Sequence, residues 1–95
     1  MPAQDGISHV HADNRLSLGA TVRARRRRLG LRQSELADLA DVSARFVYAL
    51  ETDKATVQLD KVLNVLTVLG LHLELRRGTA ASVTTDDALR PHGSP

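Results

Sequence analysis

Between residues 15 and 76 the apolar positions fall at helical spacing four times and then switch to strict alternation. The first helix is expected from about Leu16 to Leu29, with Leu18, Val22 and Leu29 on one stripe and Gly30 as its stop. The stretch "QSELADLA" makes a short second helix that turns Leu36, Ala37 and Ala40 inward. Asp41 and Val42 break that pattern, and Ser43 is a good N-cap for a third helix from Ala44 to about Thr52. Val47 and Leu50 face one way on it, while Arg45, Tyr48, Ala49 and Thr52 face the other. After the polar loop "DKATV", "LDKVLNVLTVLG" forms a fourth helix closed by Gly70. Its core stripe reads Leu59, Val62, Leu63 and Leu66, and Val65 and Val68 are apolar on a different side, so this helix asks for burial on two faces.

"LHLELR" sets Leu71, Leu73 and Leu75 against His72, Glu74 and Arg76, the pattern of a half-buried β-strand. No second strand pattern exists in the chain to pair with it. Unpaired backbone groups are costly, so the economical partner is the same strand of a twin subunit across a two-fold axis. Val65, Val68, Leu71, Leu73 and Leu75 then become the expected homodimer interface, against the alternative of a frayed extended tail. Residues 1–14 read as a disordered polar leader and residues 77–95 as a disordered tail, which leaves 15–76 as one domain.

Composition narrows the picture. In 95 residues there are one Phe, one Tyr and no Trp, so aliphatic side chains must build a small core, which favours helices and a partner subunit. Cysteine is absent, which rules out disulfides and thiolate sites and suits a reducing cytoplasm. No apolar run reaches the length of a membrane span, and the N-terminal residues lack the apolar stretch of a signal peptide. The expected setting is the cytoplasm, without a membrane.

The net charge of +2 hides a strong asymmetry. Seven arginines and no acid lie between Arg15 and Arg32, whereas Gln33 to Asp60 holds six acids against Arg45 and Lys54. Such a gradient points to a polyanionic partner, although a solvated basic face explains many arginine runs equally well. Two short helices joined by a tight turn, the second with a small polar face, match the helix-turn-helix pattern. In that arrangement the first helix braces across the DNA backbone and the second enters the major groove.

"LGLRQSELADLADVSARFVYALETDK" resembles the helix-turn-helix of the phage-repressor (Xre) superfamily, with Gln33, Leu36, Ala37, Val42, Ser43, Val47, Leu50 and Glu51 at the expected places. The fourth helix running directly into one strand is similar to the HipB-type antitoxins of toxin–antitoxin modules. Over about Leu16 to Arg76 the resemblance implies an all-α, four-helix lambda-repressor-like domain followed by one C-terminal β-strand that pairs across a homodimer. It also implies DNA contacts from Gln33 and Ser34 to phosphates and from Ser43, Ala44, Arg45, Tyr48 and Ala49 toward the groove. Arg45 could bond a guanine bidentately or meet a phosphate, and Ala44 and Ala49 offer only apolar contact, for example to a thymine methyl. Phe46 is read as structural. Two positions depart from the family pattern: Arg32 replaces a Ser or Thr cap, losing an oxygen and gaining a possible phosphate contact, and Asp41 stands where Gly is usual. Asp tolerates positive φ better than most residues.

The run "RARRRRLGL" divides by helical phase. Arg25 and Arg26 lie near the edges of the inward stripe, whereas Arg23, Arg27 and Arg28 point away. Phase alone does not choose between Arg25 and Arg26. Glu51 falls inward beside Val47 and Leu50, where an unpaired carboxylate would be costly. The resemblance implies its partner: relatives pair the residue matching Arg26 with the one matching Glu51.

The functional expectation is a dimeric, sequence-specific repressor that binds double-stranded DNA at an inverted repeat and serves as antitoxin to a HipA-type kinase. A free-standing Xre-type regulator is the alternative, and a protein-binding module that no longer reads DNA is a third reading. Enzymatic chemistry is not expected, since no phosphate-cradling loop or nucleophile–base arrangement is evident. "HVHAD" places His9, His11 and Asp13 as conceivable metal ligands, but in a polar leader without a scaffold, so no metal and no cofactor are expected.

Overall fold

The computed structural model describes residues 17–54, 56–79 and 83–89. Among the described residues four α-helices follow one another: α1 (Leu18–Arg28), α2 (Gln33–Ala40), α3 (Ala44–Glu51) and α4 (Leu59–Val68). A 3₁₀ turn, Asp87–Leu89, lies beside α1. The leader 1–14, with His9, His11 and Asp13, lies outside the described residues.

All four helices end in the same kind of turn, closed by a left-handed residue: Gly30, Asp41, Asp53 and Gly70. After α4, for example, Gly70 N–H donates to Thr67 O at 3.1 Å and Leu71 N–H to Leu66 O at 2.8 Å. This geometry satisfies carbonyls that would otherwise be orphaned and reverses the chain within two residues. The compactness of the domain follows from it, because each turn sends the next helix back across the last.

Val22, Leu36, Ala37, Ala40, Val47, Leu50, Val62, Val65, Leu66 and Leu69 form one buried cluster. α3 packs against both α1 and α2, and α2 packs against α4. The inward residues of α2 and α3 are those the periodicity indicates. Two stripes differ. α1 stops at Arg28, so Leu29 sits in the turn and is 45% exposed, while Gly19 and Thr21 are buried in its place. On α4 the core face is rotated toward Val62, Val65, Leu66 and Leu69, leaving Leu59 62% and Leu63 42% exposed. Val65, expected at the dimer interface, is a core residue fully enclosed by its own chain, and Val68 is half-buried against the core. A helix apolar on two sides does use both, but its own domain takes the Val65 side.

Residues 71–76 form no helix and no paired strand among the described residues. Leu71 packs on the core, Leu73 is exposed, and Leu75 projects fully into solvent. On the opposite face His72 Nε2 lies 3.0 Å and Arg76 Nη2 3.5 Å from the Glu74 carboxylate. His72, Glu74 and Arg76 thus share a face. Hydrogen bonding from His72, then from Arg76, holds the Glu74 carboxyl below its ordinary range.

Candidate nucleic-acid interface

α3 is an eight-residue helix started by Ser43, whose hydroxyl oxygen accepts from Phe46 N–H at 2.9 Å. Its inner face buries Val47, Leu50 and Glu51. Its outer face presents Ala44, Arg45 and Tyr48, the last 59% exposed, to solvent. Ala49 is only half-buried at the margin, and Thr52 turns its hydroxyl back onto Tyr48 O at 2.9 Å. The exposed Arg45 and Tyr48 share this outer face, and a helix is of a width that the major groove of DNA admits.

The inner face is fixed by Glu51. Arg26 Nε donates to Glu51 Oε2 at 2.6 Å and Arg26 Nη2 to Glu51 Oε1 at 3.0 Å, a bidentate pair whose side chains are 11% and 3% exposed. Arg26 Nη1 also donates to Leu31 O at 2.8 Å, so the guanidinium is used on three nitrogens. The hydrogen bond to Glu51 pushes the Arg26 guanidinium further above its already high pKa, with burial opposing it. Gln33 Nε2 donates to Glu51 Oε1 at 3.0 Å. This assigns Gln33 a bond that its expected phosphate role did not include: it ties the start of α2 to the end of α3. Ser34 stays exposed.

Arg32 precedes α2 in extended conformation and supplies no cap of its own. Glu35 compensates by accepting from Arg32 N–H at 2.8 Å, and its carboxylate lies 3.4 Å from the exposed Arg32 guanidinium. That backbone hydrogen bond, with the Arg32 charge next, holds the Glu35 carboxyl below its usual range. Asp41 takes the left-handed conformation expected of it, at φ 59°.

Two residues that sequence reasoning passed over, Asp53 and Gly19, position α3 as firmly. Asp53 adopts φ 58°, and its carboxylate accepts Gly19 N–H at 2.9 Å and the Ser17 hydroxyl at 2.7 Å. The end of α3 thus caps the start of α1. Gly19 lets the two backbones meet, since a Cβ there would overlap Leu50 O and lie 2.8 Å from Glu51 O. A glycine within a helical pattern is the signal that could have found it. Arg25, left open by phase, donates from Nε to Leu69 O at 2.9 Å, across to the end of α4. Arg23, Arg27 and Arg28 are exposed, as their phase indicates.

Residues 17–78 match a family model described as a helix-turn-helix domain. The chain belongs to the helix-turn-helix domain family. The matched span opens at Ser17, the cap of α1, and takes in Asp53, the Arg26–Glu51 pair and the segment after α4. Over 58 residues the chain is 47% identical to an uncharacterised HTH-type transcriptional regulator, y4mF, of Sinorhizobium fredii, covering 61% of this chain and 76% of that protein. Among the described residues no group of three or more potential metal ligands is present, and no helix is long and apolar enough to cross a membrane.

Proposed function

We propose that this helix-turn-helix chain is a sequence-specific DNA-binding transcriptional regulator that acts as a homodimer on an inverted repeat. The observation that carries the reading is the division of α3: one face locked by Glu51 to α1 and α2, the other offering Ala44, Arg45 and Tyr48 to solvent. A rigid support with an unpartnered polar face is what base reading requires. The exposed Arg23, Arg27, Arg28 and Arg32 supply positive charge for phosphates, and the name of the Sinorhizobium relative agrees. Two copies join through Leu71, Leu73 and Leu75, with Val68 beneath, placing the two α3 helices about 34–36 Å apart on adjacent major grooves.

Within that function, repression of its own operon as antitoxin to a HipA-type kinase is supported by the passage of α4 directly into an alternating segment. A free-standing regulator is the other form of the same function. A gel shift against the region upstream of its own gene, at several salt concentrations and with and without the neighbouring gene's product, tests all of this. A sequence-specific shift is expected, and a supershift marks the antitoxin. Equal affinity for specific and scrambled duplexes would overturn base reading.

A further inference from the structure

Arg25 and Arg26 are neighbours on the last turn of α1, and each reaches a different part of the domain. Arg26 holds Glu51, the last residue of α3. Arg25 Nε donates to Leu69 O at 2.9 Å, the carbonyl at the C-terminal end of α4 where the chain turns into Leu71–Arg76. Its Nη2 lies 3.6 Å from where a Cβ on Gly70 would stand, so the guanidinium covers the turn itself. Among the described residues this is the side-chain hydrogen bond that joins α1 to α4.

We propose that Arg25 is a positioning residue that fixes the direction in which Leu71–Arg76 leaves the domain, and with it the half-site spacing that the dimer reads. The inference rests on the dimeric DNA-binding reading above. A cation at a helix C-terminus is favoured by the exposed carbonyls and by the helix dipole. Here it also acts as a strut. The Leu69 carbonyl is the root of the segment, Glu51 is the end of the recognition helix, and one turn of one helix holds both through adjacent residues. Arg25 is half-exposed, so water can replace its hydrogen bond when the side chain is removed. Stability then changes little, because Leu69 and Leu71 still hold the root on the core, while the angle at which the segment leaves the Gly70 turn loses its outer support. In a two-fold dimer any such swing is applied twice, once in each subunit, which makes the separation of the two recognition helices the sensitive quantity.

The test uses the full chain and the half-site selected by the wild type from randomised duplexes. Binding is measured to one half-site and to a series of inverted repeats whose spacers differ by single base pairs. The wild type is expected to favour one spacing by at least about tenfold over its neighbours. Arg25→Ala should bind the single half-site within about twofold of wild type and melt within a few degrees of it, yet spread its affinity over several spacings to within about threefold. Arg25→Lys, whose ammonium can still reach Leu69 O, should restore most of the preference. An unchanged spacing profile in Arg25→Ala overturns the inference alone, as does an equal loss on single and paired half-sites, which would make Arg25 a phosphate contact. A wild-type chain that binds paired half-sites no more tightly than one overturns the dimer reading and this inference with it.

Discussion

Glu51 accepts from Arg26 Nε, Arg26 Nη2 and Gln33 Nε2 with its side chain almost wholly enclosed, so three helices meet on one carboxylate. Removing one partner leaves an enclosed charge without compensation. Arg26→Ala and Glu51→Ala are each expected to cost about 3–5 kcal/mol in urea unfolding. The double variant Arg26→Met/Glu51→Leu should lose less than either, because no charge is stranded. Should Arg26→Ala melt like the wild type, the pair has no structural role. Gly19 makes the complementary case, where space and not charge decides. Gly19→Ala gains helix propensity worth about 1 kcal/mol, yet its Cβ must displace the Leu50 and Glu51 carbonyls. A net loss of about 1–3 kcal/mol is expected, read as a lower urea midpoint with an unchanged slope. The inward place of Glu51 is legible in the sequence because helical phase is local. Phase leaves its partner undecided between Arg25 and Arg26, since both flank the stripe and the choice depends on where α3 and α4 cross α1.

Caps show the same limit at the scale of elements. Ser43, Gly30 and Gly70 announce helix ends because the cap is made by the residue itself. Asp53 does not, because it closes α3 with its backbone and caps α1, 34 residues earlier than itself, with its carboxylate. Asp53→Ala should lose the cap and strain the left-handed turn, at a cost of about 1–2 kcal/mol, whereas Asp53→Gly, which relieves the turn, should lose less. Equal melting of the two variants would mean that the turn carries no strain. The rotated core face of α4 was likewise hidden: Leu59, Val62, Leu63 and Leu66 form as good a stripe on paper as Val62, Val65, Leu66 and Leu69, and only the position of α2 selects between them. Glu35 adds a pH dependence. Its folded pKa is depressed by the Arg32 N–H bond, so its contribution is present above the unfolded value, about 4.3, and is lost as pH falls through the lower folded value. Glu35→Gln should therefore melt below the wild type near neutral pH, the two curves converging in acid. A gap that persists below both values would remove this assignment.

For the whole molecule, the question is what becomes of Leu73 and Leu75, which the folded chain leaves in water on one face of a segment whose other face is already polar and paired. Leu71 anchors the root of that segment to the core, so the apolar face projects from a fixed point. In the dimer proposed above a second copy covers these leucines and pairs a backbone that has no partner strand among the described residues. Val65 is enclosed by its own chain and has no surface to give to the proposed contact. Leu73→Glu/Leu75→Glu sets like charges along the seam, beside Glu74, without touching any buried residue. Sedimentation of the wild type should give twice the chain mass of 10.3 kDa, and of the variant the single chain. DNA binding supplies an independent reading. Each phosphate neutralised contributes about 0.9 to the slope of log affinity on log salt, so a chain that binds alone should show about half the wild-type slope along with its weaker affinity. A variant that sediments as a single chain yet keeps the full slope would show that one subunit makes all the phosphate contacts, and the inverted-repeat geometry would fall. A variant that keeps both the doubled mass and the full slope would place the dimer contact elsewhere, with the exposed Leu59 and Leu63 of α4 as the next face to substitute.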